Sequence, residues 1–341
     1  KTPTAEIIDI FPMIDGKKPM ESGVHYDPKK FFLNRDPRFY RTFAFPGVEW
    51  KFNSGNVDFS GATMSGLCPT RYTSGANYEL WNYCWYTTAD ERNNPSRSGF
   101  AADMLGTKNR GVYVRKRSDD FDLGTSLYVF TDNSSGDQQG FRRSAAPYME
   151  IRYAEVLLNY AEAKAELGEC DETVWNATVK PLRERAGVEG KIPATYDPYV
   201  AAYFKSQTTD KWILEIRRER GVELAFEGVR YDDIMRWKQG DLIENVWQGI
   251  YIPRKGEAYD LNGDGVKDVA VVDKEPPAGE KIKGVQYVVI GKTNRLSEGD
   301  HGYIEFGFSQ GRKWDDKKYL RPIPLTATQI NPALLPQNLG W

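Results

Sequence analysis

The stretch that decides the fold is residues 148–240, which begin YMEIRYAEVLLNYAEAKAELGEC (148–170) and end KWILEIRRERGVELAFEGVRYDDIMRWKQG (211–240). Apolar residues recur here at intervals of three and four over a long distance, which predicts amphipathic helices. Two apolar stripes run along the first helix. One comprises Ile151, Ala154, Leu158, Ala161 and Ala165, and the other Val156, Tyr160, Ala163 and Leu167. A face this wide predicts cover from more than one neighbouring helix.

Three further helices are predicted in the same stretch. The second covers about 174–186, with Pro181 either kinking it or marking its true first turn. The third begins near Asp210, a good N-cap, and ends near Gly228. A short fourth helix covers about 232–240, with acids first and bases last, as the helix dipole prefers. Antiparallel helices joined by short glycine-containing turns are typical of tetratricopeptide repeats.

The rest of the chain predicts loops and short strands added to that scaffold. Residues 1–52 predict a short helix and then a β-hairpin formed by 39–45 and 48–52. Residues 53–147 and 241–320 are loop-rich, apart from short strands such as VYVRKR (112–117) and VQYVVI (285–290). The predicted fold class is mainly α: a tetratricopeptide-like helical scaffold with long loops and short β-hairpins, in a single domain over 1–341.

Composition narrows the classes of function. The chain has 46 basic and 48 acidic residues, so its net charge is −2. A charge this close to balance does not predict electrostatic binding to nucleic acid. No apolar run approaches the roughly 18 residues of a transmembrane segment. Cys68, Cys84 and Cys170 are too scattered for a disulfide framework or a zinc site, although a Cys68–Cys84 bridge stays open. With two histidines and no known catalytic motif, the sequence offers almost nothing for histidine-based catalysis, although a pair of carboxylates suited to glycoside hydrolysis stays open among the 48 acidic residues.

An aromatic run in the first loop-rich segment is the candidate ligand site. It lies in ANYELWNYCWYTTADERNNPSRSGF (76–100) and has no helical or clean strand periodicity. Aromatic rings offer flat apolar faces to the C–H side of a pyranose, and amides bond its hydroxyls. The predicted ligand-binding residues are Trp81, Asn82, Tyr83, Trp85 and Tyr86. The alternative is that these aromatics pin the loops onto the helices as a small satellite core.

A second candidate site is a calcium loop in YDLNGDGVKDVAVV (259–272). Positions one, three, five, seven and nine of an EF-hand-like loop are Asp260, Asn262, Asp264, Val266 (through its carbonyl) and Asp268. Gly265 fills the sixth position, where the loop needs a sharp turn. Val271 stands where the bidentate Glu belongs, so Asp273 or a water would complete the shell and binding would be weak, about 10⁻⁴ to 10⁻³ M. The alternative is an Asx-rich turn without metal.

The third helix carries Glu219, Glu223 and Glu227 at steps of four. This spacing superficially suggests a di-iron carboxylate site, but such sites need Glu-x-x-His pairs and no histidine lies in the helical block. We expect these acids to form short-range ion pairs instead. The expected basic partners are Arg217, Arg218, Arg220 and Arg230.

Several of these segments resemble one family. RYAEVLLNYAEAKAELGE (152–169) followed by IRRERGVELAFEGVRYDDIMRW (216–237) resembles the C-terminal half of a SusD/RagB family protein. These are surface nutrient-binding lipoproteins of Bacteroidetes. The chain end YLRPIPLTATQINPALLPQNLGW resembles the family's typical end, while PTAEIIDIFPMIDGKKP and NRDPRFYRTFAFPG resemble its middle. The motifs occur in the family's order.

The resemblance implies a binding protein and not an enzyme. It implies a cell-surface, outer-membrane protein that captures an oligosaccharide or polysaccharide and hands it to a SusC-like TonB-dependent outer-membrane transporter. It also implies an N-terminal half with a lipid anchor outside this sequence, and therefore an apolar patch left on 151–167. Two alternatives stay open: RagB-like peptide binding and a helical-repeat scaffold whose ligands are proteins. Exposed aromatics on a concave polar surface would favour glycan, and unpaired strand edges would favour peptide.

Overall fold

The fold is taken from a computed structural model of the chain. The structure describes residues 4–19, 27, 29, 32–44, 48–51, 77–80, 112–114, 116, 149–261, 265, 267, 269–282, 285–291, 294–306 and 311–341. Within these residues, α1 (Ala5–Ile10) and α2 (Pro37–Thr42) precede the central block. The block contains α3 (Tyr153–Glu166), α4 (Glu172–Ala177), α5 (Val179–Arg185), α6 (Pro198–Tyr203), α7 (Lys211–Glu223) and α8 (Arg230–Arg236), and α9 (Leu325–Ile330) lies near the chain end. The helical block predicted from periodicity is confirmed.

Local chemistry explains where these helices begin and end. The carboxylate of Asp210 accepts hydrogen bonds from the first amides of α7, as expected of an N-cap. The helix ends before the predicted Gly228 because Phe226 adopts a left-handed conformation, with φ of 61°. The predicted second helix is two helices, α4 and α5. Pro181 has no N–H for the Ala177 carbonyl, so it lies in the first turn of α5.

The predicted hairpin of 39–45 with 48–52 is wrong. Residues 37–42 form α2, because the Asp36 carboxylate caps the helix and proline stands at its first position. Phe39 and Phe43, four residues apart, are both fully buried, a spacing that one side of a helical turn satisfies as well as strand alternation does. Strand β1 (Phe43–Ala44) pairs antiparallel with β4 (Tyr113–Val114), and β2 (Val48–Lys51) with β3 (Asn77–Leu80).

Two three-stranded sheets follow the helical block. The first contains β5 (Trp247–Ile252), β10 (Gly302–Phe306) and β9 (Asn294–Leu296) in that order, all antiparallel. The second contains β6 (Ala258–Tyr259), β7 (Val269–Val272) and β8 (Gln286–Val289). In that sheet β6 and β7 are antiparallel, whereas β7 and β8 are parallel. The strand predicted in 285–290 is confirmed.

The buried side chains form two hydrophobic clusters. The larger joins α1, α2 and α6 to both sheets, and its centre is aromatic: Phe11 and Phe43 meet edge to face with ring centroids 5.1 Å apart. The smaller lies under α3 and packs Leu158 against Trp175 of α4 and Ile216 of α7. Helix α7 contributes to both clusters, which explains why nearly all of its residues are buried.

Only one of the two stripes on α3 is covered. Ala154, Leu158, Ala161 and Ala165 are buried, although Ile151 in the same stripe is exposed. The second stripe is open, with Val156 49%, Tyr160 51% and Leu167 70% exposed. The predicted apolar patch is therefore present in this structure. The tetratricopeptide-like character of the helix pairing stays a prediction.

Candidate functional site

The predicted aromatic run begins where strand β3 ends. Leu80 is the last residue of β3 and pairs with Val48 of β2, so the backbone immediately before Trp81 is fixed by antiparallel pairing. The five predicted ligand-binding residues, Trp81, Asn82, Tyr83, Trp85 and Tyr86, lie outside the described residues. Their role as ligand-binding residues therefore stays a prediction, and so does the alternative that they form a satellite core.

The segment that carries the aromatic run lies between β1 and β4, which pair with each other. Phe43 on the near side pairs with Val114 on the far side, and Val112 is fully buried. The ammonium group of Lys116 donates to the carbonyl of Glu223 at 2.8 Å and pairs with Glu227 at 2.6 Å. On the near side, Phe43 meets Phe226, three residues after α7, with ring centroids 6.0 Å apart. Both ends of this segment are thus attached near the C-terminal end of α7.

Helix α7 carries a buried ion-pair network. Most of its acids pair with arginines that are distant in sequence, whereas pairs within the helix were expected. Glu219 is 1% exposed and accepts hydrogen bonds from Arg38 and Arg183. Glu215 pairs with Arg183 as well as with Arg218 on its own helix. The expectation of short-range pairs is therefore wrong for most of the network, because the partners come from α2, α5 and the start of α3.

Glu223 has the most crowded carboxylate of this network. It accepts hydrogen bonds from Arg152 at 2.5 Å, Arg185 at 2.5 Å and Arg38 at 3.0 Å. Burial alone would raise the pKa of Glu223, but the bonds from Arg185 and Arg152 and the charge of Arg38 outweigh it and lower the pKa to about 2. The carboxylate is therefore ionised throughout the physiological range.

A second part of the network joins α7 to α3 and α8. Arg220 pairs with Asp233 at 2.9 Å, and Arg236 with Glu162 at 2.6 Å. The indole N–H of Trp237 also donates to Glu162. Among the described residues no group of three or more His, Cys, Asp or Glu side chains is arranged to hold a metal ion. The acids of α7 are engaged by guanidinium groups, and they connect elements that are distant in sequence.

A small cleft beside α1 was not found from the sequence. It is lined by Asp9, Ile10, Lys18, Tyr199, Val200, Tyr203 and Arg218. Burial raises the pKa of Asp9, while the charge of Arg35 and a hydrogen bond from the Tyr303 hydroxyl oppose that rise. The one signal available was an acid within the otherwise apolar IIDIF. Its bond to Tyr303 ties α1 to β10, which makes Asp9 a structural residue.

The calcium-type loop connects β6 to β7, whose pairing places Tyr259 opposite Val269. The amide of Gly265 donates to Oδ2 of Asp260 at 2.9 Å, and Gly265 has a φ of 87°, in the region that favours glycine. Asp273, one option for completing the shell, pairs with Lys255 at 2.9 Å. The other predicted ligands, Asn262, Asp264, Val266 and Asp268, lie outside the described residues.

Of the three cysteines, Cys170 is the one that lies among the described residues. Cys170 is a free, partly buried thiol whose pKa burial raises to about 11. Cys68 and Cys84 fall outside the described residues. None of the helices in the described ranges is long and apolar enough to cross a membrane.

Comparison with known proteins decides the family. The sequence model of the SusD family matches residues 1–341. The chain belongs to the SusD family. This confirms the resemblance inferred from the helical and terminal motifs, and it covers the helical block, both loop-rich segments and the chain end. No curated protein sequence matches this SusD-family chain.

Solved structures support the same fold. The protein BT4246 is similar with a TM-score of 0.57 at 20% identity, over 100% of this chain and 44% of its own. A SusD-like carbohydrate-binding protein, BF0978 from Bacteroides fragilis NCTC 9343, has a TM-score of 0.51 at 22% identity, over 98% of this chain and 48% of its own. This SusD-family chain thus spans about half the length of the solved structures it matches.

Proposed function

We propose that the chain is the glycan-binding portion of a SusD-family surface protein. The family match over residues 1–341 carries this proposal. The similarity in fold to a SusD-like carbohydrate-binding protein is consistent with it. In the whole protein, the captured oligosaccharide or polysaccharide passes to a SusC-like TonB-dependent transporter at the outer membrane. A lipid anchor on the N-terminal part of the protein holds it at the cell surface.

The proposed binding residues are Trp81, Asn82, Tyr83, Trp85 and Tyr86. Indole and phenol rings stack on the C–H faces of pyranose rings, and the Asn82 amide bonds their hydroxyls. The pairing of β1 with β4 and the bonds of Lys116 support this assignment, because they fix both ends of the segment against α7. An anchored segment loses less conformational freedom on binding than a free one.

We propose that the protein binds glycan without hydrolysing it. Glycoside hydrolysis needs two carboxyl groups at a set separation that can exchange protons. The carboxylates of Glu219 and Glu223 are instead surrounded by guanidinium groups, and the pKa of Glu223 is far too low for proton donation near neutrality.

Affinity electrophoresis on a panel of polysaccharides tests the proposal. At least one polysaccharide should retard the chain, and Trp81→Ala or Trp85→Ala should weaken the retardation without a large change in thermal stability. Tyr160→Ala, an exposed ring on α3, is the matched control and should behave as the wild type does. A thermal shift of many degrees with unchanged affinity would place Trp81 and Trp85 in the core instead.

We further propose a structural calcium ion in the loop that begins at Asp260. The bond from the Gly265 amide to Asp260 supports it, since this contact folds the loop back on its first acid. The ion would be held by Asp260, Asn262, Asp264, Val266 and Asp268, and it would fix the β6–β7 connection. Calorimetry with chelator-treated protein should give a dissociation constant of about 10⁻⁴ to 10⁻³ M. Asp264→Ala should abolish the heat, whereas Glu280→Ala should not; the absence of heat at millimolar calcium would end the proposal.

A further inference from the structure

Two exposed tryptophans are linked by a connected series of contacts near the chain end. Among the described side chains, the two tryptophans that are more than a third exposed are Trp247, at 39%, and Trp341, at 47%. Trp314 lies between them in a connected series of contacts. We call this set the C-terminal aromatic surface; it comprises Trp247, Arg312, Trp314, Lys317, Tyr319 and Trp341.

The connections run through both backbone and side chains. The Trp314 amide donates to Glu244 at 2.6 Å, and Arg312 donates to the carbonyl of Asn245 while its guanidinium lies 4.4 Å from the Trp247 ring. At the other end, Lys317 lies 4.7 Å from the Trp341 ring. The surface therefore joins the start of β5 to the last residue of the chain.

These rings are held rigidly. The indole N–H of Trp341 lies within hydrogen-bonding distance of two backbone carbonyls, those of Lys317 at 3.0 Å and Leu320 at 2.8 Å. Trp314 packs against Gly240 so closely that a Cβ there would come within 2.0 Å of the indole ring. Tyr319 meets Trp314 with ring centroids 4.9 Å apart, and its hydroxyl accepts the Gly240 amide. Trp314 and Trp341 therefore lose most of their conformational freedom during folding, so that little more is lost when a ligand binds.

The chemistry of the surface fits a sugar. The partly exposed indole rings of Trp247 and Trp341 offer apolar stacking faces, and a cation lies over one face of each ring. Arg312, Lys317 and the exposed carboxylate of Asp315 can donate to or accept from sugar hydroxyls. An apolar protein surface is the competing occupant, because Leu320 and Leu339 are also exposed here. The glycan is favoured because an apolar partner would desolvate the cations that flank the rings.

We propose that the C-terminal aromatic surface is a second glycan-contacting surface, formed by residues other than the run at Trp81–Tyr86. This inference rests on the proposed glycan-binding function. Two contact surfaces on one chain make the second contact with a long polysaccharide intramolecular, so the polysaccharide is held more tightly than by either surface alone. A short oligosaccharide that reaches only one surface gains nothing from the other.

The test is affinity electrophoresis with the polysaccharide that retards the wild type most. The pair Trp247→Ala with Trp341→Ala removes both stacking faces and should weaken apparent affinity about tenfold, which corresponds to about 1.4 kcal/mol. The pair Trp247→Phe with Trp341→Phe keeps flat rings and should retain most of the binding. Tyr153→Ala, an exposed aromatic on α3, is the control and should bind as the wild type does.

The outcomes separate this proposal from the function on which it rests. If the alanine pair is retarded like the wild type while Trp81→Ala is not, the second surface is wrong and glycan binding stands. If no polysaccharide retards the wild type, both proposals fail. If the alanine pair keeps full retardation but loses self-association, the surface docks protein instead. Should the alanine pair unfold, Arg312→Gln with Lys317→Gln tests the same surface, and unchanged retardation would overturn the proposal.

Discussion

Replacing Glu223 with Gln should reveal how much the ion-pair network of α7 stabilises the fold. The carboxylate is 3% exposed and accepts bonds from Arg38, Arg152 and Arg185, which come from α2, the residue that precedes α3, and α5. Glutamine keeps the size of the side chain but removes its charge. Three guanidinium groups then face a neutral amide, and the bonds that attach these elements to α7 weaken.

The magnitude follows from the pKa of Glu223, which falls from its ordinary value of 4.5 to about 2 in the folded protein. At about 1.4 kcal/mol per pKa unit, this shift corresponds to roughly 3 kcal/mol of the free energy of unfolding at neutral pH. Because the folded pKa is the lower one, the stabilisation is fully present above about pH 4.5. It is lost progressively as the pH falls from there through about 2.

Urea unfolding followed by circular dichroism at pH 7, 5 and 3 measures this effect. Glu223→Gln should be less stable than the wild type by about 3 kcal/mol at pH 7, and the difference should shrink at pH 3. Glu184→Gln is the matched control, since that side chain is 57% exposed and pairs with Lys180 at the long distance of 3.9 Å; its cost should stay below about 0.5 kcal/mol. Equal stability of Glu223→Gln and wild type, or a difference that does not change with pH, would refute the reasoning.

Further substitutions test the packing. Leu158→Ala, in the buried stripe of α3, should cost about 2–5 kcal/mol in urea unfolding, whereas Leu167→Ala in the open stripe should cost under about 0.5; equal costs would show that the open stripe is covered. Gly240→Ala should cost about 1–3 kcal/mol because its Cβ would meet Trp314, while Gly279→Ala, with nothing within 4 Å, should be nearly neutral. Tyr303→Phe should cost about 1 kcal/mol by removing the bond to Asp9, and an unchanged midpoint would count against that bond.

The helices were predictable because they depend on local spacing. The stripes of α3 and the cap at Asp210 can be recognised from residues within one or two turns of each other. The error at residues 39–45 has the same origin. Alternating aromatics fit a strand, yet Phe39 and Phe43 also fit one side of a helical turn, and the Asp36-Pro37 start decides for the helix.

The tertiary partners could not be predicted in this way. Glu219 meets an arginine 181 residues away, and Asp9 meets Tyr303 294 residues away. Charge spacing along one helix identifies only its neighbours, so the sequence suggested pairs within α7. The C-terminal aromatic surface was missed for a similar reason, because the contacts of residues 312–314 with Glu244, Asn245 and Trp247 form only when the chain end packs against the start of β5.

The candidate ligand sites were less predictable from the sequence than the helical scaffold was. The aromatic run at Trp81–Tyr86 and the loop at Asp260 were recognised from composition and spacing alone, which name chemical groups without their positions. The structure adds fixed flanks to both: the pairing before Trp81 and the bond from Gly265 to Asp260. Which groups contact a ligand depends on side-chain directions that spacing does not encode.

Glycan capture is the central claim, and separate titrations with the two ligand classes test it most directly. The chain is titrated by calorimetry with oligosaccharides prepared from the polysaccharide that retards it most in electrophoresis. A mixed peptide library is titrated in parallel. Glycan binding predicts saturable heat with the oligosaccharide, its loss in Trp81→Ala with Trp85→Ala, and no heat with peptides. Saturable heat with peptides alone, or with neither ligand, would contradict the account.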